Sequence, residues 1–151
     1  MIISPRGLDF ITVHEGGCKL EMYDDGTGKP TIGVGHLCAS WNEYPKGITY
    51  DKAMQLFHED LRETEAAVQK GVTVEISQHR FDALADFVYN VGANAFLNST
   101  LLKLVNAREF GQVPPEFLRW TKAGGLRLRG LYKRRAACGL LWWFAEYKPG
   151  Y

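Results

Sequence analysis

The hydrophobic period of this chain changes twice, and those changes limit what it can fold into. Ser4-Pro5 opens a helix, with a hydroxyl cap and a proline at the first helical position, where a missing N–H costs nothing. Leu8, Phe10, Ile11 and Val13 follow, and Gly16-Gly17 ends the helix because glycine tolerates the left-handed cap conformation. From Lys19 to Val34 the period is two. Leu20 and Met22 alternate with Glu21 and Tyr23, the stretch Asp24-Asp25-Gly26-Thr27-Gly28-Lys29-Pro30 turns, and Thr31-Ile32-Gly33-Val34-Gly35 alternates again. This predicts an antiparallel hairpin with Ile32 and Val34 toward the core. Thr31, Gly33 and Gly35 fall on the opposite face, where a ligand could approach the backbone closely.

After a loop through Trp41 to Gly47 the helical period returns for the rest of the chain. Thr49 caps a helix carrying Ala53, Phe57, Leu61 and Val68, ended by Gly71. Ser77 caps the next, with Phe81, Leu84, Val88 and Val91 on one face and Gly92 as its stop. Leu101, Leu102, Leu104 and Val105 predict another helix after Asn98-Ser99. Pro114-Pro115 begin a short one through Trp120, and Gly130 onward forms the last. The expected architecture is α+β in a single domain over 1–151. An N-terminal helix and small antiparallel hairpin or sheet form one lobe (about 1–47), a larger helical lobe follows (about 48–151), and a cleft lies between them.

With 151 residues, 46% of them apolar, the chain can bury a core of ordinary size. Its net charge of +1 gives no argument for nucleic acid. The charge is nevertheless uneven. Between Phe117 and Ala145 there is no acid, while Arg119, Lys122, Arg127, Arg129, Lys133, Arg134 and Arg135 all lie there. The other 11 basic residues stand against 17 acids, a net of −6. Such a polarised chain either offers a basic face to an anionic polymer or carries a solvated basic helix. The three cysteines, Cys18, Cys38 and Cys138, show no framework spacing, which fits a reducing compartment and leaves room for at most one disulfide. The N-terminus has no apolar run of the length a signal peptide or membrane span requires, so the expected location is the cytosol until something releases the protein.

Several chemistries fail on spacing. Gly28-Lys29 is followed by Pro30, and Tyr23 occupies the upstream glycine position of a phosphate loop. His14-Glu15 and His58-Glu59 each lack the second histidine of a zinc-protease motif, having Cys18 and Arg62 there; no metal and no cofactor is expected. No nucleophile elbow for a serine hydrolase occurs. A carboxylate pair remains. Glu15 sits in the last turn of the first helix, beside the negative end of its dipole, a placement that favours the protonated form a general acid needs. Asp25, in an open polar turn, can stay ionised as nucleophile or as the group that activates water, the division of labour found in glycoside hydrolysis. Two acids ten residues apart are common on surfaces, and the pair alone does not decide the matter.

The surrounding motifs do. Glu15-Gly16, Tyr23-Asp24-Asp25 and Thr31-Ile32-Gly33-Val34-Gly35-His36 resemble the signature of the phage-type lysozymes, the endolysin muramidases. Further matches follow in order: Thr49, Gln78 to Leu84, Phe87 to Gly92, Ser99 to Leu102, Phe117 to Trp120, Ala123 to Gly125, and Gly130 to Arg135. The resemblance covers nearly the whole chain. This sequence departs from the family pattern in one extra residue between Glu15 and Asp25, which puts Asp24 in competition with Asp25. Asp25 is preferred because it keeps both the two-residue step after Tyr23 and the six-residue step to Thr31. Three residues after the second arginine of the late Arg-Arg pair the family often has an acid; here Cys138 stands there, and any salt bridge from it is lost.

The resemblance implies a lysozyme-like fold and hydrolysis of the β-1,4 bond from N-acetylmuramic acid to N-acetylglucosamine in bacterial peptidoglycan. Glu15 would protonate the glycosidic oxygen, while Asp25 and the Thr31 hydroxyl would handle the water, with inversion as the usual outcome. Gly33, Gly35 and His36 are candidates for substrate binding; His36, with Tyr23, could equally be structural, and Gln78 and Asn90 could be either structural or cleft-lining. It also implies a monomer that depends on a holin for passage from the host cytoplasm to the wall or periplasm. Two alternatives stay open: a lytic transglycosylase, and a glycan-binding module of this fold without turnover. The basic, Trp-rich tail from Gly124 to Tyr151 raises a separate possibility, action on an anionic membrane surface, against the simpler reading that its apolar residues pack into the helical lobe.

Overall fold

A computed structural model describes residues 1–149; Gly150 and Tyr151, the end of the Trp-rich tail, lie outside the described residues. Helix α1 (Pro5–His14) begins as expected, with Ser4 Oγ accepting the Gly7 N–H at 3.0 Å. The same hydroxyl donates to Asp82 Oδ2 at 2.6 Å, and that buried carboxylate also accepts from the Ser4 backbone, Gln78 and Tyr147. The start of α1 is thereby fastened to the next long helix but one. Gln78, which also donates to the Ile2 carbonyl, is part of this fastening.

Strands β1 (Lys19–Asp24), β2 (Pro30–Gly33) and β3 (His36–Leu37) form one antiparallel sheet in that order. Tyr23 pairs with Thr31, Thr31 with Leu37 and Ile32 with His36. Ile32 and Val34 are buried, as the alternation predicts. The opposite face departs from expectation. Thr31 is only 3% exposed, and a Cβ built on Gly33 would touch the Ala53 side chain at 3.5 Å. Gly33 has φ +65°, which breaks the pleat, and at this residue the strand faces a helix rather than open space.

That helix is α2 (Tyr50–Gly71), capped by Thr49. It is followed by α3 (Gln78–Val91), α4 (Ala93–Leu97), α5 (Thr100–Asn106), a single 3-10 turn, and α6 (Val113–Phe117). A small hairpin of β4 (Lys122–Ala123) and β5 (Leu126–Arg127) then leads into α7 (Arg129–Phe144). The large core joins Phe10 and Ile11 of α1 to Phe57, Leu84, Phe87, Phe117 and Trp142. A smaller core of Ile32, Cys38 and Leu56 lies under the sheet. Packing does not follow the expected division near residue 47, because α1 belongs to the large core and α2 contributes to both.

Two readings of the basic stretch need correction. Arg134 and Arg135 are buried, so only part of the run forms a solvated face. The apolar run at the end of α7 divides: Leu141 and Trp142 are core, while Leu140, Trp143 and Phe144 are exposed. All three cysteines are free, Cys38 and Cys138 being buried. Among the described residues no helix is long and apolar enough to cross a membrane.

Candidate active site

Glu15 is the C-cap residue of α1, its N–H bonded to the Ile11 carbonyl at 3.0 Å. Its side chain is 16% exposed, so it is reachable but largely enclosed. The negative helix end is only part of its surroundings. Arg134 of α7 places Nη1 2.7 Å from Glu15 Oε1. Burial opposes the charge on Arg134, and the carboxylates of Asp86 and Glu15 overcome it, holding the guanidinium above the ordinary arginine value. On the other side of Glu15 lies Gly35. A Cβ there would collide with Glu15 Oε2 and stand 2.9 Å from its carboxyl carbon. With φ +73° as well, the position suits glycine on two counts. Tyr89 of α3 donates to the Val34 carbonyl at 2.5 Å and so pins this turn against the helices.

Asp24 and Asp25 divide the hairpin turn between them. Asp24 Oδ1 accepts the N–H groups of Gly26 at 2.7 Å and Gly28 at 2.8 Å. Asp25 Oδ1 accepts the Thr27 hydroxyl at 2.6 Å, the Thr27 N–H at 2.8 Å and the Lys29 N–H at 3.3 Å. The slight burial of Asp25 works against ionisation, but the Thr27 and Lys29 donors outweigh it and hold the carboxyl below the ordinary aspartate value. Among the described residues, no donor bonds its second oxygen. Thr31 stands across the sheet from Tyr23, and its hydroxyl donates to the Lys29 carbonyl at 3.3 Å. Tyr23 links the two acids. Burial first, then the negative charges of Glu15 and Asp25, push its phenol above the usual tyrosine value. Both carboxylates therefore act on one half-buried ring.

The remaining candidates have specific neighbours. His36 Nδ1 lies 2.9 Å from Asp60 Oδ2 on α2, Gly33 faces Ala53, and Gly35 faces Glu15 itself. Asn90 accepts from Arg135 Nη2, whose Nε donates to the Trp120 carbonyl at 3.1 Å. Sequence reasoning passed over Asp86, Thr27 and Asp60. It met Arg134 only as half of a basic pair, because nothing local marks an arginine that reaches an acid 119 residues earlier. Two shallow grooves, of about 550 and about 560 Å³, flank the N-terminal segment, and neither is lined by Glu15, Asp25 or Thr31. Among the described residues no group of three or more His, Cys, Asp or Glu gathers to hold a metal ion.

Comparison with known proteins shows the family to which the chain belongs. A family model described as Phage lysozyme matches residues 13–138. The endolysin of Salmonella phage P22 is 38% identical over 127 residues, covering 82% of this chain and 86% of the relative. Among solved structures, the endolysin of Escherichia coli O157:H7 phage FAHEc1 superposes with a TM-score of 0.86 at 32% identity, covering 98% of this chain and 97% of that one. A mutant form of P22 lysozyme superposes with a TM-score of 0.76 at 34% identity, covering 94% and 98% of the two chains.

Proposed function

Because this chain belongs to the phage lysozyme family, and is thereby a glycoside hydrolase of the muramidase kind, we propose that it is an endolysin acting on bacterial peptidoglycan. The bond cut is the β-1,4 linkage from N-acetylmuramic acid to N-acetylglucosamine. Glu15 protonates the departing glycosidic oxygen. Asp25, ionised and with one oxygen unencumbered, orients and activates a water on the other side of the sugar, and the Thr31 hydroxyl helps hold that water. Asp25 takes this role over Asp24 because it keeps the two-residue step after Tyr23 and the six-residue step to Thr31. The outcome is inversion. Tyr23, Gly35 and His36 shape the site between a sheet-bearing lobe and a helical lobe of one domain, and the protein works as a monomer. It remains in the host cytoplasm until a holin opens the way to the wall.

The setting of Glu15 supports this reading most: in a member of the phage lysozyme family, its side chain is 16% exposed and its carboxyl is held between Arg134 Nη1 and Gly35. Product analysis on purified peptidoglycan tests it. Hydrolysis with inversion releases muramic reducing ends that are first α and then mutarotate. Anhydro-muramic products would instead identify a lytic transglycosylase, and wall binding without release would identify a non-catalytic module.

A further inference from the structure

If Glu15 is the general acid, its carboxyl must hold a proton, yet Arg134 Nη1 stands 2.7 Å away. A cation at that distance favours the ionised carboxylate. We infer that Asp86 is a positioning residue for catalysis, aiming Arg134 at Glu15 by a single nitrogen and offsetting the charge that Arg134 would otherwise press on it; the assignment rests on the role proposed for Glu15. Asp86 is fully buried on α3. It engages the guanidinium along one edge, with Nε 3.0 Å from Oδ2 and Nη2 2.9 Å from Oδ1. Nη2 also reaches the Asp86 carbonyl at 3.4 Å. Only Nη1 is turned to Glu15. The forked, bidentate contact leaves the arginine little rotational freedom, so its position at the acid is set from α3.

The other groups around this pair leave the compensating charge to Asp86. His14, one residue before Glu15 on α1, places Nδ1 3.0 Å from Asp86 Oδ1. The Cys138 thiol donates to Asp86 Oδ2 at 3.1 Å, and burial, followed by the Asp86 charge, keeps that thiol protonated. Arg135 is a second buried cation whose charge reaches Arg134 and Asp86 while its guanidinium bonds Asn90 and the Trp120 carbonyl, so Asp86 has both arginines to offset. Tyr89 and Tyr23 feel the charge of Glu15 but are held as neutral phenols, chiefly by burial. Among the described residues, Asp86 and Glu15 are the two carboxylates paired with Arg134. The sequence departure at Cys138 lies at this point: its thiol touches Asp86 Oδ2, and the carboxylate beside Arg134 comes from α3 rather than α7.

The test compares pH–rate profiles of the whole protein on purified peptidoglycan. Asp86→Asn keeps the shape and removes the charge. Arg134 then acts on Glu15 uncompensated, and the high-pH limb of kcat moves down by about one pH unit. A second variant, Asp86→Ser with Cys138→Asp, moves the carboxylate to α7 beside the same guanidinium, and its limb returns toward the wild-type position. Should Asp86→Asn fail to fold, as judged by circular dichroism, the relocated variant decides alone: a wild-type limb supports the inference and a lowered limb overturns it. A limb unmoved in folded Asp86→Asn, with Glu15→Gln inactive, leaves Glu15 as the acid and overturns the role of Asp86. Retained activity in Glu15→Gln would instead overturn the underlying reading of the site.

Discussion

A side chain at position 35 would occupy the space of the Glu15 carboxylate. Gly35→Ala brings a Cβ into collision with Oε2 and imposes an unfavourable φ of +73°. The acid must move by a fraction of an ångström or more, and misplacements of that order cost about 100-fold in rate. Gly35→Ala is therefore expected to lower kcat on purified peptidoglycan about 100-fold while the protein stays folded. An unchanged kcat would mean that the acid's position is not set there. At this scale the sequence points to Glu15, Asp25 and Thr31, the residues proposed for catalysis, because chemistry and local pattern coincide there. It was silent on Asp86 and Arg134, whose pairing spans 48 residues and depends on how two helices cross. The open face imagined beside Gly33 failed for a related reason: alternation along a strand says which side a residue takes, not what covers that side.

Strand β3 is held to α2 through His36 and Asp60. The Asp60 hydrogen bond is the chief cause of the raised His36 value; burial opposes it, and the charges of Asp60, Glu43 and Glu59 add to it. Protonated His36 is thus favoured in the folded state. Its stabilisation is fully present below the ordinary histidine value of 6.5 and is lost as pH rises through the raised value. For a partly exposed pair the effect is about 0.5–1 kcal/mol. Urea unfolding at a series of pH values should show stability falling by that amount across this window in the wild type and no such fall in Asp60→Asn. The same fall in the variant would place its origin elsewhere. Among the elements, capped helices were the most legible. Ser4 and Thr49 accept the N–H groups that their positions predict, and Ser99 likewise accepts the Leu102 N–H at the start of α5. Ser77 stands at its helix start without doing so, its hydroxyl lying 3.2 Å from His79 Nε2. The two-residue strands β3, β4 and β5 and the single-turn helix α4 left no periodic trace, because elements so short take their form from what they pack against.

Across the whole molecule, the two proposed catalytic carboxylates ride on different cores. Glu15 ends a helix rooted in the large core through Phe10 and Ile11, and Asp25 turns a hairpin seated on the small one through Ile32 and Met22. Helix α2 joins the two, with Leu56 in the small core and Phe57, Leu61 and Val68 in the large one. The site therefore depends on a tertiary arrangement that a division of the sequence near residue 47 does not capture, since α1 precedes the sheet but packs with the helices that follow it. The charge asymmetry of the sequence likewise has two parts in space: Arg134 and Arg135 are internal, while Arg127, Arg129 and Lys122 remain exposed. The proposed reaction turns on one proton, held by Glu15. Reducing-end release from purified peptidoglycan by folded Glu15→Gln shows whether that proton is needed. General acid catalysis is worth about 100- to 10,000-fold, and a loss in that range or greater is predicted, with wall binding retained. Release at the wild-type rate would rule out Glu15 as the general acid.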